Sequence, residues 1–239
     1  MPEWDTRLAK RVGAPLGPRP VTAESPDILP PEADLALAWS PPKVRAPLSI
    51  AFQLDRRLAR IVARTSEPML GQMRLAWWRD ALGTPLANRP RGDVVLDAIG
   101  AHWAGREAAL IAMVDGWEVL VSAERLGRTE IDAFGTQRST FFSALDDTAG
   151  QTSAARIAAA GFHWAMADAA AAVSDADERA ALIAAGLERI APAGTMPRAL
   201  RGLAVLDALA LRALRGGGRP LMEGRGAPLA ALRAAIFLS

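Results

Sequence analysis

The chain has 239 residues, with 28 Lys and Arg against 26 Asp and Glu, 51% hydrophobic residues, and neither Cys nor Tyr. No disulfide, thiolate metal site, iron-sulfur cluster or cysteine nucleophile can be built from it, and with only His102 and His163 present a three-histidine site is excluded too. A net charge of +2 provides no general field for nucleic acid, and the composition is that of a globular protein.

The N-terminal MPEWDTRLAKRVG carries acids at Glu3 and Asp5 and has no continuous apolar core, so it does not resemble a secretory signal. Residues 1–30, with the Pro-rich stretch Val12 to Pro31, read as an N-terminal segment ahead of a helical domain over 31–239. Ser40-Pro41-Pro42 reads as a helix start, with Leu48, Phe52, Leu54, Leu58 and Ile61 on one face of the helix that follows. Ser66 is the expected cap of a second helix, Glu67 to Leu82, stopped by Gly83.

Helices are predicted at Val94 to Trp103, Glu107 to Glu124, Glu130 to Leu145, Ala154 to Val173, Asp175 to Ile190, Arg198 to Leu214 and Pro228 to Phe237. Gly105, Gly127, Gly150, Pro192 with Gly194, and Gly216-Gly217-Gly218 separate them. Period-two alternation and hairpin turn signals are absent, which predicts an all-α chain. The longest uncharged stretch, Ile157 to Ala167, is eleven residues, short of the roughly 20 needed to cross a bilayer, so no transmembrane helix and a cytoplasmic location are expected.

Generic catalytic motifs fail: GxSxG, GxxxxGK, GxGxxG after a strand and HExxH are all missing. Asp146-Asp147 reads as a solvated helix end, and Ser174 to Glu178 as a cap with acids on the positive end of a helix. Neither histidine has a carboxylate at helical spacing, so each is expected to be a core or partly buried residue. Arg212, Arg215, Arg219 and Arg225 could meet phosphates, but the intervening glycines read as a flexible solvated loop.

One segment stands apart. Glu67-Pro68-Met69-Leu70-Gly71-Gln72-Met73-Arg74-Leu75-Ala76-Trp77-Trp78-Arg79-Asp80-Ala81-Leu82, preceded by Leu58-Ala59-Arg60-Ile61-Val62, resembles the squalene/phytoene synthase family. The resemblance is closest to the shortened bacterial members, which are similar to the mitochondrial complex I assembly factor of the same superfamily. It is specific over Leu48 to Leu82 and continues in order through Asp115-Gly116-Trp117, Gly161-Phe162-His163-Trp164 and Met196-Pro197-Arg198-Ala199-Leu200.

The resemblance implies an all-α isoprenoid synthase-like bundle in which aspartate-rich motifs on two facing helices bind magnesium around a prenyl diphosphate. Divalent ions are required there to neutralise the leaving diphosphate. This chain departs from that pattern. Its first motif aligns with Ala59, Arg60 and Ala63, and Asp55 stands one turn early and alone; the second aligns with Ala171 and Asp175, and Asp168 is offset. The family's catalytic tyrosines have no counterpart.

Three readings follow. The first is a non-catalytic binding or assembly protein without cofactor or metal. The second is an active head-to-head prenyl transferase using magnesium, and the third a prenyl-chain or lipid binding protein. The candidate contact residues are Arg60, Arg74, Trp77, Trp78 and Arg79, without a catalytic residue among them. A protein partner or a prenyl or lipid ligand is expected rather than nucleic acid, and peripheral association with an inner membrane is compatible with this reading. Helical spacing places Trp77 and Trp78 about 100° apart, so one ring should pack inward and the other be partly exposed.

Overall fold

Proline opens the first three helices of the described residues. In the computed structural model, which describes residues 28–65, 67–146 and 150–237, α1 (Pro31–Trp39), α2 (Pro42–Arg64) and α3 (Pro68–Gly83) each begin on a proline, whose fixed φ suits the first turn and whose missing N–H is not needed there. Then follow α4 (Val94–His102), α5 (Glu107–Ser122), α6 (Arg128–Ser139), α7 (Gln151–Ala172), α8 (Ala176–Glu188), α9 (Arg201–Arg215) and α10 (Ala227–Phe237). Among the described residues, three short 3-10 turns complete the regular structure and there is no strand. The chain is all-α, as its periodicity predicts.

The differences from the sequence expectation have local causes. Helix α1 is not among the elements the sequence predicts: Glu32 and Asp34 in its first turn favour the positive helix end, and the Ser40 hydroxyl ends it by donating to the Ala36 carbonyl at 2.8 Å. The helix expected over Glu130 to Leu145 stops as α6 at Ser139 and tightens into a 3-10 turn over Thr140–Leu145. There the hydroxyls of Ser139 and Thr140 bond back to the carbonyls of Gly135 and Thr136 at 2.7 and 2.9 Å, and the tighter winding buries both Phe141 and Phe142. Arg198–Leu200 is likewise a 3-10 turn before α9. Ser66, the expected cap of α3, lies outside the described residues, as do residues 1–27 of the Pro-rich segment; Glu67 occupies the N-cap position without a side-chain cap bond.

Helix α5 packs against α3 and α6, and α7 against α6, α8 and α9. Helices α2 and α7 are joined by side chains: the rings of Phe52 from α2 and Trp164 from α7 lie 5.9 Å apart, and Phe141 and Phe142 pack edge-on against both. This aromatic plug sits beside the charged groups described next.

Candidate functional site

Three helices deliver charged side chains to the middle of the bundle, and a fourth adds a tryptophan. On α2, Asp55 follows Leu48 and Phe52 along the buried face, and on α6 Arg138 follows Ile131 and Phe134. Trp117 comes from α5, and Trp164 and Asp168, one turn apart, from α7. Gly116 explains how α5 comes close enough. A Cβ there would lie 2.8 Å from the backbone nitrogen of Arg138 and 3.2 Å from the Phe134 carbonyl oxygen, so only glycine allows α5 and α6 this approach.

Arg138 is the hinge of the arrangement. Its Nε and Nη2 donate to Oδ1 and Oδ2 of Asp55, both at 2.8 Å, and Nη2 also reaches Oδ2 of Asp168 at 2.6 Å. Arg56 repeats the bridge from the other side, donating to Asp55 Oδ2 at 2.7 Å and to Asp168 Oδ2 at 2.8 Å. The Trp117 indole N–H donates to Asp55 Oδ1 at 2.8 Å. The Arg138 guanidinium lies 4.6 Å from the Trp117 ring centroid and 4.4 Å from that of Trp164, so its cation also meets two π faces. Arg138 and Asp55 are fully buried, whereas the side chains of Arg56 and Asp168 retain 25% and 15% exposure.

Burial by itself pushes the carboxyls of Asp55 and Asp168 up. For both, the two arginines outweigh it and hold the carboxyl below the usual carboxylate range, Arg138 leading at Asp55 and Arg56 at Asp168. Conversely the two carboxylates hold the guanidiniums of Arg56 and Arg138 charged against desolvation. Two negative and two positive groups therefore balance. Glu32 of α1 lies at the edge of this field, where burial first, and then the charge of Asp168, raise its carboxyl.

The magnesium that the family resemblance implies does not fit these residues. Both oxygens of Asp55 already accept hydrogen bonds, Asp168 Oδ2 accepts two, and a divalent cation would sit beside two guanidiniums. No group of three His, Cys, Asp or Glu among the described residues is placed to hold a metal. No protein-family model, curated protein or solved structure matches this chain.

The residues singled out in the sequence fall into separate places. Trp78 turns inward, 4% exposed beneath the Arg57 guanidinium, while Trp77 is 44% exposed and meets Trp78 edge-on with centroids 5.2 Å apart. Arg74 shares the outward face of α3 with Trp77, and Arg60 is half-buried on α2. Arg79 points to α5, where it bonds Asp115 at 2.7 Å and pairs with Glu118.

Two expectations are corrected, for Asp55 and for His102. Asp55 is not alone, because Asp168, offset in sequence register, faces it across Arg138 and Arg56. His163 is buried as expected, and a carboxylate reaches it from another helix: Asp207, supplied by α9, lies 2.6 Å from its Nδ1, and its Nε2 meets the Arg189 carbonyl at 2.7 Å. His102 is exposed at the end of α4, with the indole of neighbouring Trp103 buried in its stead. Asp175, offered as a second-motif carboxylate, caps α8 by accepting from the N–H groups of Asp177 and Glu178, in keeping with the capping reading.

Arg138 was the residue sequence reasoning missed. Its signal is an arginine standing in register with Ile131 and Phe134 on the buried face of α6.

Proposed function

We propose that this chain is a squalene/phytoene synthase-like bundle that carries no metal-dependent prenyl transfer and acts as a binding or assembly protein. The observation that carries the reading is that Arg138 bonds to both Asp55 and Asp168. Prenyl transfer from a diphosphate needs carboxylates free to gather divalent ions; here the two carboxylates on facing helices are already neutralised by two guanidiniums. The plug formed by Phe52, Phe141, Phe142 and Trp164 supports the same reading, since it fills the space between α2 and α7 that a prenyl chain would need.

The contact surface best suited to a protein partner is the outward face of α3. Met69, Met73 and Trp77 recur there at every fourth residue, flanked by exposed Leu70 and Arg74, and Trp and Arg are the side chains that most often dominate binding energy. Calorimetric titration with magnesium and a non-hydrolysable prenyl diphosphate analogue tests the proposal. No saturable heat is expected, and a stoichiometric magnesium site would overturn it.

A further inference from the structure

The C-terminal helix is apolar on both faces. Its inner face, with Ala227, Ala231, Ala234 and Ala235, is buried, chiefly against α9. Its outer face carries Leu229, Leu232 and Ile236, which are 70%, 48% and 55% exposed. At about 100° per residue these three fall within roughly 60° of one another around the helix, so they form one stripe and not scattered exposures.

Arginines surround this stripe. Arg233 flanks it on α10, one turn beyond Leu229. Between α9 and α10 runs a shallow groove of about 430 Å³, lined by Ala208, Leu211, Leu229 and Ala230, with Arg215 and Arg233 among its walls. Arg219 and Arg225 lie on the connection between the two helices. All four of these arginines are exposed, and none pairs with a carboxylate among the described residues. From residue 208 to the last residue given, the sequence holds five arginines and a single acid, Glu223. The net charge of +2 for the whole chain thus conceals a strongly cationic C-terminal region.

We propose that the outward face of α10, with the arginines around it, docks onto the surface of a bilayer containing anionic phospholipid. The aliphatic stripe would enter the boundary between head groups and acyl chains, while Arg215 and Arg233 meet the phosphates from the groove side. A lipid surface is favoured over a protein partner because the stripe is purely aliphatic, without the Trp or Tyr that anchor protein interfaces, and because the arginines around it far outnumber the one acid nearby, Glu223. The outward face of α3 differs on both counts, with Trp77 on it and the exposed Asp80 in line with Met69 and Met73. The proposal does not depend on the reading of the buried centre.

Co-sedimentation of the full chain with large unilamellar vesicles tests it, comparing pure phosphatidylcholine with an equal mixture of phosphatidylcholine and phosphatidylglycerol. Binding to the anionic vesicles alone is expected, weakening as salt is raised. Each basic residue near an anionic surface contributes about fivefold in partitioning, so Arg215→Glu with Arg233→Glu should lower it by at least about 25-fold. Leu232→Ser with Ile236→Ser should lower it by about tenfold or more per residue. Both pairs are exposed, so an unchanged thermal midpoint verifies the fold. Sedimentation with neither vesicle, equal sedimentation with both, or anionic binding that either pair leaves intact would each overturn the proposal.

Discussion

The guanidinium of Arg138 meets the carboxylate of Asp55 side-on through two hydrogen bonds of 2.8 Å, joining residues 83 apart in sequence with neither exposed to water. Removing Arg138 leaves Arg56 alone to balance both Asp55 and Asp168, so one buried negative charge is stranded in a medium that solvates charge poorly. Arg138→Met is therefore expected to cost about 3–5 kcal/mol in urea unfolding. Adding Asp55→Leu to that variant should recover part of the loss, because the stranded charge is removed with its partner. A double variant as unstable as the sum of the two single ones would show that the pair is not coupled.

Acid should loosen the same centre. Asp55 and Asp168 have carboxyls held lower in the folded chain than in the unfolded one by Arg138 and Arg56. Their contribution to stability is thus fully present above the unfolded carboxylate range and is lost as pH falls through and below about 4. Asp168→Asn should flatten the acid limb of the stability curve while lowering stability at neutral pH.

Glu32 works in the opposite sense. Its carboxyl is raised, by burial first, so it favours the folded state at low pH and loses that contribution as pH rises through the folded value. Glu32→Gln should raise the thermal midpoint at pH 7 relative to the parent chain, with the advantage disappearing on acidification. An equal shift at both ends of the range would mean that charge is not what Glu32 contributes.

His163 binds α7 to α9 and to the segment after α8. Its ring nitrogens face Asp207 at 2.6 Å in the packed interior and the Arg189 carbonyl at 2.7 Å in a part-buried position. His163→Phe preserves volume but leaves both oxygens without this partner, which should cost about 1–3 kcal/mol for each buried group left unsatisfied. Asp207→Asn, which keeps a polar group facing the ring, should cost less. A loss as large for Asp207→Asn as for His163→Phe would point to packing at α9 instead of the hydrogen bond.

What the sequence conveyed here was local, and what it withheld was long-range. Apolar spacing and glycine breaks located the helices from Pro42 onward, because each depends only on neighbours a few residues away. The centre depends on α2, α5, α6 and α7 meeting. An aspartate in register with Leu48 and Phe52 is a buried charge waiting for a partner, and nothing near it in sequence says that the partner is Arg138. The same gap hid Asp207 from His163. Judging each charged residue against its own helix made Asp55 look isolated and Asp168 look misplaced, whereas compensation runs between helices.

Trp77 and Trp78 separate folding from contact. Trp78 is 4% exposed, with Arg57 above its ring, so Trp78→Ala removes a large buried group and should cost about 3–5 kcal/mol through lost transfer energy and the cavity left behind. Trp77 gives up much less: it is 44% exposed, and its main intramolecular tie is the edge-on contact with Trp78, a type of pair worth about 0.5–1.5 kcal/mol. Trp77→Ala should therefore shift unfolding only slightly, while abolishing capture of a partner in pull-downs with the full chain as bait. Arg74→Glu, on the same outward face, should weaken capture without touching stability. Equal and large stability losses for both tryptophans would mean that neither ring is available to a partner, and the contact surface on α3 would have to be given up.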